Sequence, residues 1–117
     1  MAYNSLNSQT AQSIIKELND WLLEHSLLYI DHQRWYIGIT DNPERRYSEH
    51  IRKSKIKEFS VKHFKCWHAN SFKIARSIES HGHDIGMLDT DLLGNAKESS
   101  VFVYVYKKIP LLKAKPK

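Results

Sequence analysis

A short stretch of the sequence brings together side chains that could carry out acid–base chemistry. In RWYIGITDNPERRYSEH, residues 34–50, alternation along a strand places Tyr36 and Gly38 on one face, so the glycine leaves an opening beside a phenol. Arg46 and His50 follow four residues apart, which makes them neighbours on one face of a helix. The stretch therefore predicts polar groups held over a surface shared by a strand and a helix. The simpler alternative is a bulge at the glycine and a solvated Arg–His pair.

A carboxylate further along the chain stands at the edge of an apolar helical arc. On a helical wheel Phe72, Ala75 and Ile78 share one face, and Glu79 falls close in angle to Phe72. A carboxylate turned towards a core needs a cation, a shell of hydrogen-bond donors or a metal ion, and these alternatives stay open. The motif HGHD at 81–84 offers two further histidines for a metal, although alternate histidines in a glycine-containing loop usually face solvent.

Positive charge is concentrated after the polar strand. The formal net charge of +5 favours a polyanionic partner without specifying one. Phe59 and Phe64 are interleaved with the basic residues, a pattern of nucleic-acid-binding surfaces that is also common on merely solvated faces. A second, looser contact would come from the C-terminal Lys107, Lys108, Lys113, Lys115 and Lys117. The candidate nucleic-acid contacts are Arg45, Arg52, Lys53, Lys55, Lys57 and Lys62.

Length and composition indicate one globular domain. A chain of 117 residues can bury one core, and its 41% hydrophobic and 26% charged residues are ordinary proportions for a globular protein. No apolar run approaches the roughly 18 residues that span a bilayer, and the polar N-terminus does not read as a signal peptide. The single Cys66 cannot form an internal disulfide, so a reducing compartment, the cytoplasm, is expected.

The elements that must position the polar residues follow from hydrophobic spacing and capping signals. Helical spacing predicts a first helix over 8–25, with Ala11, Ile14, Ile15, Leu18 and Leu22 on its apolar face. SLLYI at 26–30 and WYIGIT at 35–40 read as two strands of a hairpin. Asn42 as N-cap and Pro43 as first residue predict the second helix.

The second half of the chain continues the alternation of strands and helices. VKHFKCW reads as a strand, and ANSFKIARSIESHG reads as a helix that starts at Asn70 or Ser71 and stops at Gly82. SVFVYVYKK is apolar on both faces, so it is expected in the centre of a sheet. The order αββαβαβ predicts the α+β class, with a small mixed sheet flanked by helices.

The residues singled out above resemble the core of the GIY-YIG nuclease superfamily, which includes homing endonucleases, restriction enzymes, excision-repair subunits and junction nucleases. The superfamily has a YIG-type strand, an arginine about ten residues after its tyrosine, and a histidine or tyrosine four residues further on. A later helix carries a glutamate, often as A-x-x-x-E, and an asparagine precedes the last strand. The matching residues are Tyr36, Ile37, Gly38, Arg46, His50, Ala75, Glu79 and Asn95.

The first motif of the superfamily, normally Gly-Ile-Tyr, departs from this pattern. Its counterpart here is LLY at 27–29, which lacks the glycine. Only six residues separate Tyr29 from Tyr36, so the expected hairpin is unusually tight. Tyr29 is therefore a weaker candidate than Tyr36.

The resemblance implies hydrolysis of phosphodiester bonds with one divalent metal ion. Glu79 would anchor Mg²⁺ or Mn²⁺, and Arg46 would offset the charge that builds on the phosphate oxygens. Tyr36 or Tyr29 would position or deprotonate the attacking water, and His50 would take up that proton or hold the tyrosine. The sixth candidate, Asn95, would hydrogen-bond within the site.

These expectations describe a metal-dependent DNA endonuclease that acts on duplex or branched DNA, in repair or restriction. We expect an N-terminal helical extension at 1–25, a nuclease domain at 26–108 and a basic, frayed tail at 109–117. A second copy or a partner protein would supply specificity. The main alternative is a nucleic-acid-binding module that keeps the fold without catalysis, and a more distant one is a protein-interaction domain.

Overall fold

A four-stranded mixed sheet forms the centre of the molecule. The computed structural model describes residues 9–57, 59–89 and 97–110, with the side chains of 10–53, 60–89 and 97–109. The strands lie in the order β2–β4–β1–β3, with β4 antiparallel to both neighbours and β3 parallel to β1. The elements are α1 (Gln9–Glu24), a 3₁₀ turn (His32–Arg34), β1 (Trp35–Thr40), α2 (Pro43–Lys57), β2 (Phe59–His68), α3 (Phe72–Asp84), β3 (Leu88–Asp89) and β4 (Phe102–Pro110).

This architecture confirms the α+β class and the helix that precedes the sheet. It also confirms that the last strand is central, since β4 lies between β2 and β1. β4 runs to Pro110, two residues into the stretch expected as a tail, and 111–117 lie outside the described residues. None of the helices among the described residues is long and apolar enough to cross a membrane.

The predicted hairpin of 26–30 with β1 is wrong. Ser26 to Tyr29 form a series of bends, and Leu27 and Leu28 are almost fully exposed. All six residues of β1 pair instead with β4, from Trp35 opposite Lys107 to Thr40 opposite Phe102. The reason is the extent of pairing, because β4 has nine residues and pairs with both β1 and β2, whereas the 26–30 segment has only five. The side chains buried from β4 are Val103, Tyr104, Val105 and Tyr106.

Each face of the sheet carries its own core cluster. The α1/α3 face packs Trp35 and Ile37 of β1 against both of those helices. The α2 face, on the opposite side, packs Tyr36 with the tyrosines of β4 and with Ile51 of α2. This is the alternation expected for β1 from its sequence. The helical residues buried on the α1/α3 face are Ala11, Ile14, Leu18, Leu22, Ala75 and Ile78.

The junction from β1 to α2 is held by short polar contacts. The backbone N–H of Asn42 donates to Thr40 Oγ1 at 3.1 Å, and Asn42 Oδ1 accepts from the backbone N–H of Arg45 at 3.0 Å. Asn42 therefore caps α2, and Pro43 occupies the first helical position as predicted. The cap sets where the first turns of α2 cross the sheet.

Helix α3 begins at its predicted cap but ends later than expected. Ser71 Oγ accepts from the backbone N–H of Ile74 at 3.1 Å, whereas the helix continues past Gly82 to Asp84. A Cβ on Gly82 would lie 2.7 Å from Ile37 Cδ1, so this glycine permits close approach to the sheet instead of stopping the helix. The short strand β3 follows at Leu88–Asp89.

We expect Ser71→Ala to lower the free energy of unfolding by about 1 kcal/mol, because the Ile74 N–H would no longer have its acceptor. Ser71→Asp should retain most of the stability, since its carboxylate also accepts this hydrogen bond. Ser80→Ala, on the exposed side of the same helix, is the matched control and should cost nothing. Chemical denaturation of the three variants measures the difference, and equal destabilisation by Ser71→Ala and Ser80→Ala would contradict it.

Candidate active site

Tyr36 lies on the α2 face between an aromatic ring and a cation. Its ring stacks on Tyr106, with centroids 5.2 Å apart and planes inclined by 10°. Lys108 Nζ lies 4.4 Å from the Tyr36 ring centroid. An open cleft beside the ring is also lined by Arg34 and Lys107. The phenol thus stands where a basic cleft meets the aromatic cluster.

Arg46 lies on the second turn of α2 with its guanidinium largely enclosed. Its side chain is 12% exposed, and Nε is 3.6 Å from Glu49 Oε1. Arg46 Nε is buried without a hydrogen-bond partner among the described residues. Glu49 is shared with Arg45, which also donates to Asp41 at 2.7 Å. Arg46 therefore retains a donor that an anion could use.

His50 is enclosed one turn further along α2. It is 2% exposed, and its ring centroid lies 4.5 Å from that of Tyr106. Its Nε2 is 3.3 Å from the hydroxyl of Tyr104, with the donor set by the tautomer of the imidazole. The structure therefore brings His50 and Tyr36 together through Tyr106, which contacts both rings.

The sequence analysis missed Tyr104 and Tyr106 as members of this group. In the register of β4 with β1, Tyr106 lies opposite Tyr36 and Tyr104 lies opposite Gly38. Two tyrosines at alternate positions of VYVY necessarily share one face of a strand. That spacing was the available signal, but only the pairing with β1 shows which face they join.

Glu79 lies on α3, the helix that packs on the α1/α3 face of the sheet, opposite to the face that α2 covers. Burial raises the pKa of the Glu79 carboxyl, although His83 and Arg76 act to lower it. Asp89 of the edge strand β3 raises it further. His83 lies one turn after Glu79 and its Nε2 is 2.7 Å from Asp89 Oδ1, so this side of α3 faces that edge. Within the described part of the chain, no cation lies within ion-pair distance of Glu79. The salt-bridge alternative thus has no support among these residues.

A divalent metal at Glu79 would have to rely on few protein ligands. Among the described residues, no group of three or more His, Cys, Asp and Glu side chains could hold a metal ion. This also applies to the HGHD motif, whose His83 Nε2 lies 2.7 Å from Asp89 Oδ1. A half-buried carboxylate without an ion-pair partner among the described residues nevertheless fits Mg²⁺, which often binds one or two carboxylates and keeps several waters.

The remaining candidates fall outside this arrangement. Tyr29 is 71% exposed on the bends before β1, where it lines a cleft with Arg34 and Lys107 and is not part of the aromatic cluster around Tyr36. Asn95 lies outside the described residues, as do the side chains of Lys55 and Lys57. Of the other basic candidates, Lys53 is half-buried, and the exposed ones are Arg45, Arg52 and Lys62.

Fold and site together define a sheet-and-helix domain with a tyrosine, an arginine and a histidine grouped on one face. Residues 25–81 match the family model of the GIY-YIG catalytic domain. This match confirms the resemblance to the GIY-YIG superfamily, a family of nucleases, that was seen in the sequence. Comparison with curated proteins and with solved structures found no match.

Glu79→Gln should raise the melting temperature at pH 7 in the presence of EDTA. Because burial raises the pKa of Glu79 on folding, the unfolded chain gives up this proton first, and stability falls as the pH rises through that interval. The gain of the Gln variant should therefore vanish below about pH 4, where both states are protonated.

Added Mg²⁺ should then stabilise the wild type and leave Glu79→Gln unchanged, because ligands raise stability only where they bind. Ser80→Ala serves as the control for a change on α3. Thermal melts between pH 3.5 and 8 measure both effects. A Gln variant that melts lower than the wild type at pH 7 would restore the salt-bridge interpretation.

Proposed function

We propose that this protein is a metal-dependent endonuclease that hydrolyses phosphodiester bonds in DNA. The observation that carries the proposal is the enclosed Arg46, whose Nε lacks a hydrogen-bond partner among the described residues, one turn before the buried His50. The nearest anion, Glu49 Oε1, lies 3.6 Å from this Nε, so the enclosed guanidinium still has donors that suit an anionic ligand. The match to a nuclease family supports a scissile phosphate as that anion.

Each side chain would act on a different part of the reaction. Arg46 would stabilise the negative charge that develops on the phosphate oxygens, where its planar fork of donors matches their geometry. Tyr36, at the open cleft, would orient or deprotonate the attacking water, and His50 would accept the proton. Glu79 would hold Mg²⁺ or Mn²⁺, which supplies electrostatic stabilisation of the phosphate and of the leaving oxygen. Asn95 retains its proposed hydrogen-bonding role.

The cleft beside Tyr36 is suited to a phosphate backbone. Arg34 and Lys107 line it, and Lys108 lies over the tyrosine ring. Arg52 and Lys62 are exposed elsewhere on the chain and would extend the contact to flanking phosphates. We infer that duplex or branched DNA binds across the cleft, in the cytoplasm, in a repair or restriction reaction. A second copy or a partner protein would add specificity.

We expect Arg46→Ala to lower kcat by about 100-fold or more, since it removes transition-state stabilisation. Arg46→Lys should recover little, because an ammonium does not reproduce the fork. Lys16→Ala removes a cation on α1, remote from the α2 face, and is the control. Nicking of supercoiled plasmid with Mg²⁺, Mn²⁺ or EDTA measures these rates. A wild type that binds DNA but never cuts would favour the inactive binding module.

We expect the double substitution of Arg34 and Lys107 by Ala to flatten the salt dependence of duplex binding. The slope of log K against log salt should fall by about 0.9 for each phosphate that the variant no longer neutralises. Lys16→Ala with Lys73→Ala removes the same charge from exposed positions on α1 and α3 and should leave the slope unchanged. Fluorescence anisotropy of labelled duplex between ~50 and ~200 mM KCl measures the slopes. Equal slopes for the two double variants would mean that Arg34 and Lys107 do not contact DNA phosphates.

A further inference from the structure

The antiparallel neighbour of β1 is β4, which comes from the end of the described chain and not from the segment before β1. β4 pairs antiparallel with every residue of β1, whereas residues 26–30 form bends and contribute no strand. Tyr29 is accordingly 71% exposed, while Tyr104 is 1% exposed. The second tyrosine beside the YIG motif is therefore supplied by β4.

Of the two β4 tyrosines on the α2 face, Tyr104 makes the polar contact with His50. Its hydroxyl lies 3.3 Å from Nε2 across 54 residues of sequence, and both side chains are almost completely buried. Burying a hydroxyl and an imidazole costs free energy unless each is hydrogen-bonded. A phenylalanine at 104 would fill nearly the same volume without that cost, so packing alone does not account for the hydroxyl.

The surroundings of the pair leave the imidazole few orientations. The His50 ring lies 4.5 Å from Tyr106 and 5.7 Å from Tyr104, measured between centroids. The Phe64 ring stacks on the Tyr104 ring, with centroids 5.3 Å apart. Rings on two strands thus restrict the imidazole, and the Tyr104 hydroxyl, which can donate or accept, lies within hydrogen-bond distance of its Nε2.

We propose that Tyr104, on β4, is a positioning residue for His50. This inference rests on the proposed nuclease function. The Tyr104 hydroxyl holds the imidazole in one rotation and favours one of its two tautomers through the contact with Nε2. Tyr104 itself does not touch the phosphate, because its side chain is buried.

A double-mutant cycle on the full chain tests the proposal. Tyr104→Phe should lower kcat about 10- to 100-fold and leave KM within about twofold, because orientation of an acid–base group contributes to the chemical step. In a His50→Ala background the same substitution should change kcat by less than about twofold, since residues that act as a unit are not additive. Tyr47→Phe, a half-exposed tyrosine on α2, is the matched control and should cut normally.

The outcomes separate the structural from the positioning role. Reductions in kcat that multiply in the double variant, or a Tyr104→Phe variant that cuts at the wild-type rate, would overturn the positioning role. An inactive Tyr29→Phe variant together with normal cleavage by Tyr104→Phe would overturn the proposal and leave Tyr29 as the second tyrosine of the site. Rates are referred to the folded fraction from circular dichroism, so that a less stable variant is still informative.

A second readout does not depend on cleavage. The ¹⁵N chemical shifts of the His50 imidazole report its tautomer, and Tyr104→Phe should change the ratio of the two tautomers while Tyr47→Phe leaves it unchanged. An unchanged ratio would overturn the proposal. If Tyr104→Phe changes the tautomer ratio but the wild type cuts no DNA, the proposed nuclease function is overturned, and the positioning role in catalysis with it.

Discussion

The antiparallel pairing of β1 with β4 is the constraint on which the rest of the structure depends. Six consecutive pairs join the strands, from Trp35 opposite Lys107 to Thr40 opposite Phe102. The pairing makes β4 the centre of the sheet, gives both faces a core and sets Tyr104 and Tyr106 beside Tyr36. If the pairing of β4 with β1 shifted by one residue, Tyr104 and Tyr106 would turn to the α1/α3 face. The register therefore determines which side chains form the site.

This pairing also explains why the α2 face holds polar atoms that a simple core would exclude. His50 and Tyr104 are nearly fully buried yet bond to each other. Arg46 lies one turn earlier, with its Nε buried, and Glu49 is its nearest anion. Arg45 instead bonds to Asp41, and this hydrogen bond lowers the pKa of the Asp41 carboxyl. Neighbouring arginines on one helix thus have different roles, one on the surface and one facing inward.

Helix α3 brings the carboxylate to the sheet by two local devices. Ser71 caps the helix at its start, and Gly82 lets its third turn approach Ile37 closely. Between them Glu79 is carried towards the edge strand β3, in surroundings where burial opposes its ionisation. Because α2 and α3 cover opposite faces, a metal held by Glu79 would have to act from the edge of the sheet.

Local signals in the sequence were enough to predict the strand at 35–40, the Asn42–Pro43 start of α2 and the Ser71 cap of α3. Each of these features depends on residues within one turn or one strand. The α+β class followed from their order. They also identified the superfamily through Tyr36, Arg46, His50 and Glu79. They did not predict the partner of β1, because SLLYI and FVYVY are both plausible strands and local pattern cannot rank them. Only the tertiary structure made that choice, since β4 pairs with both β1 and β2, and a pairing between residues about seventy positions apart leaves no trace in local periodicity.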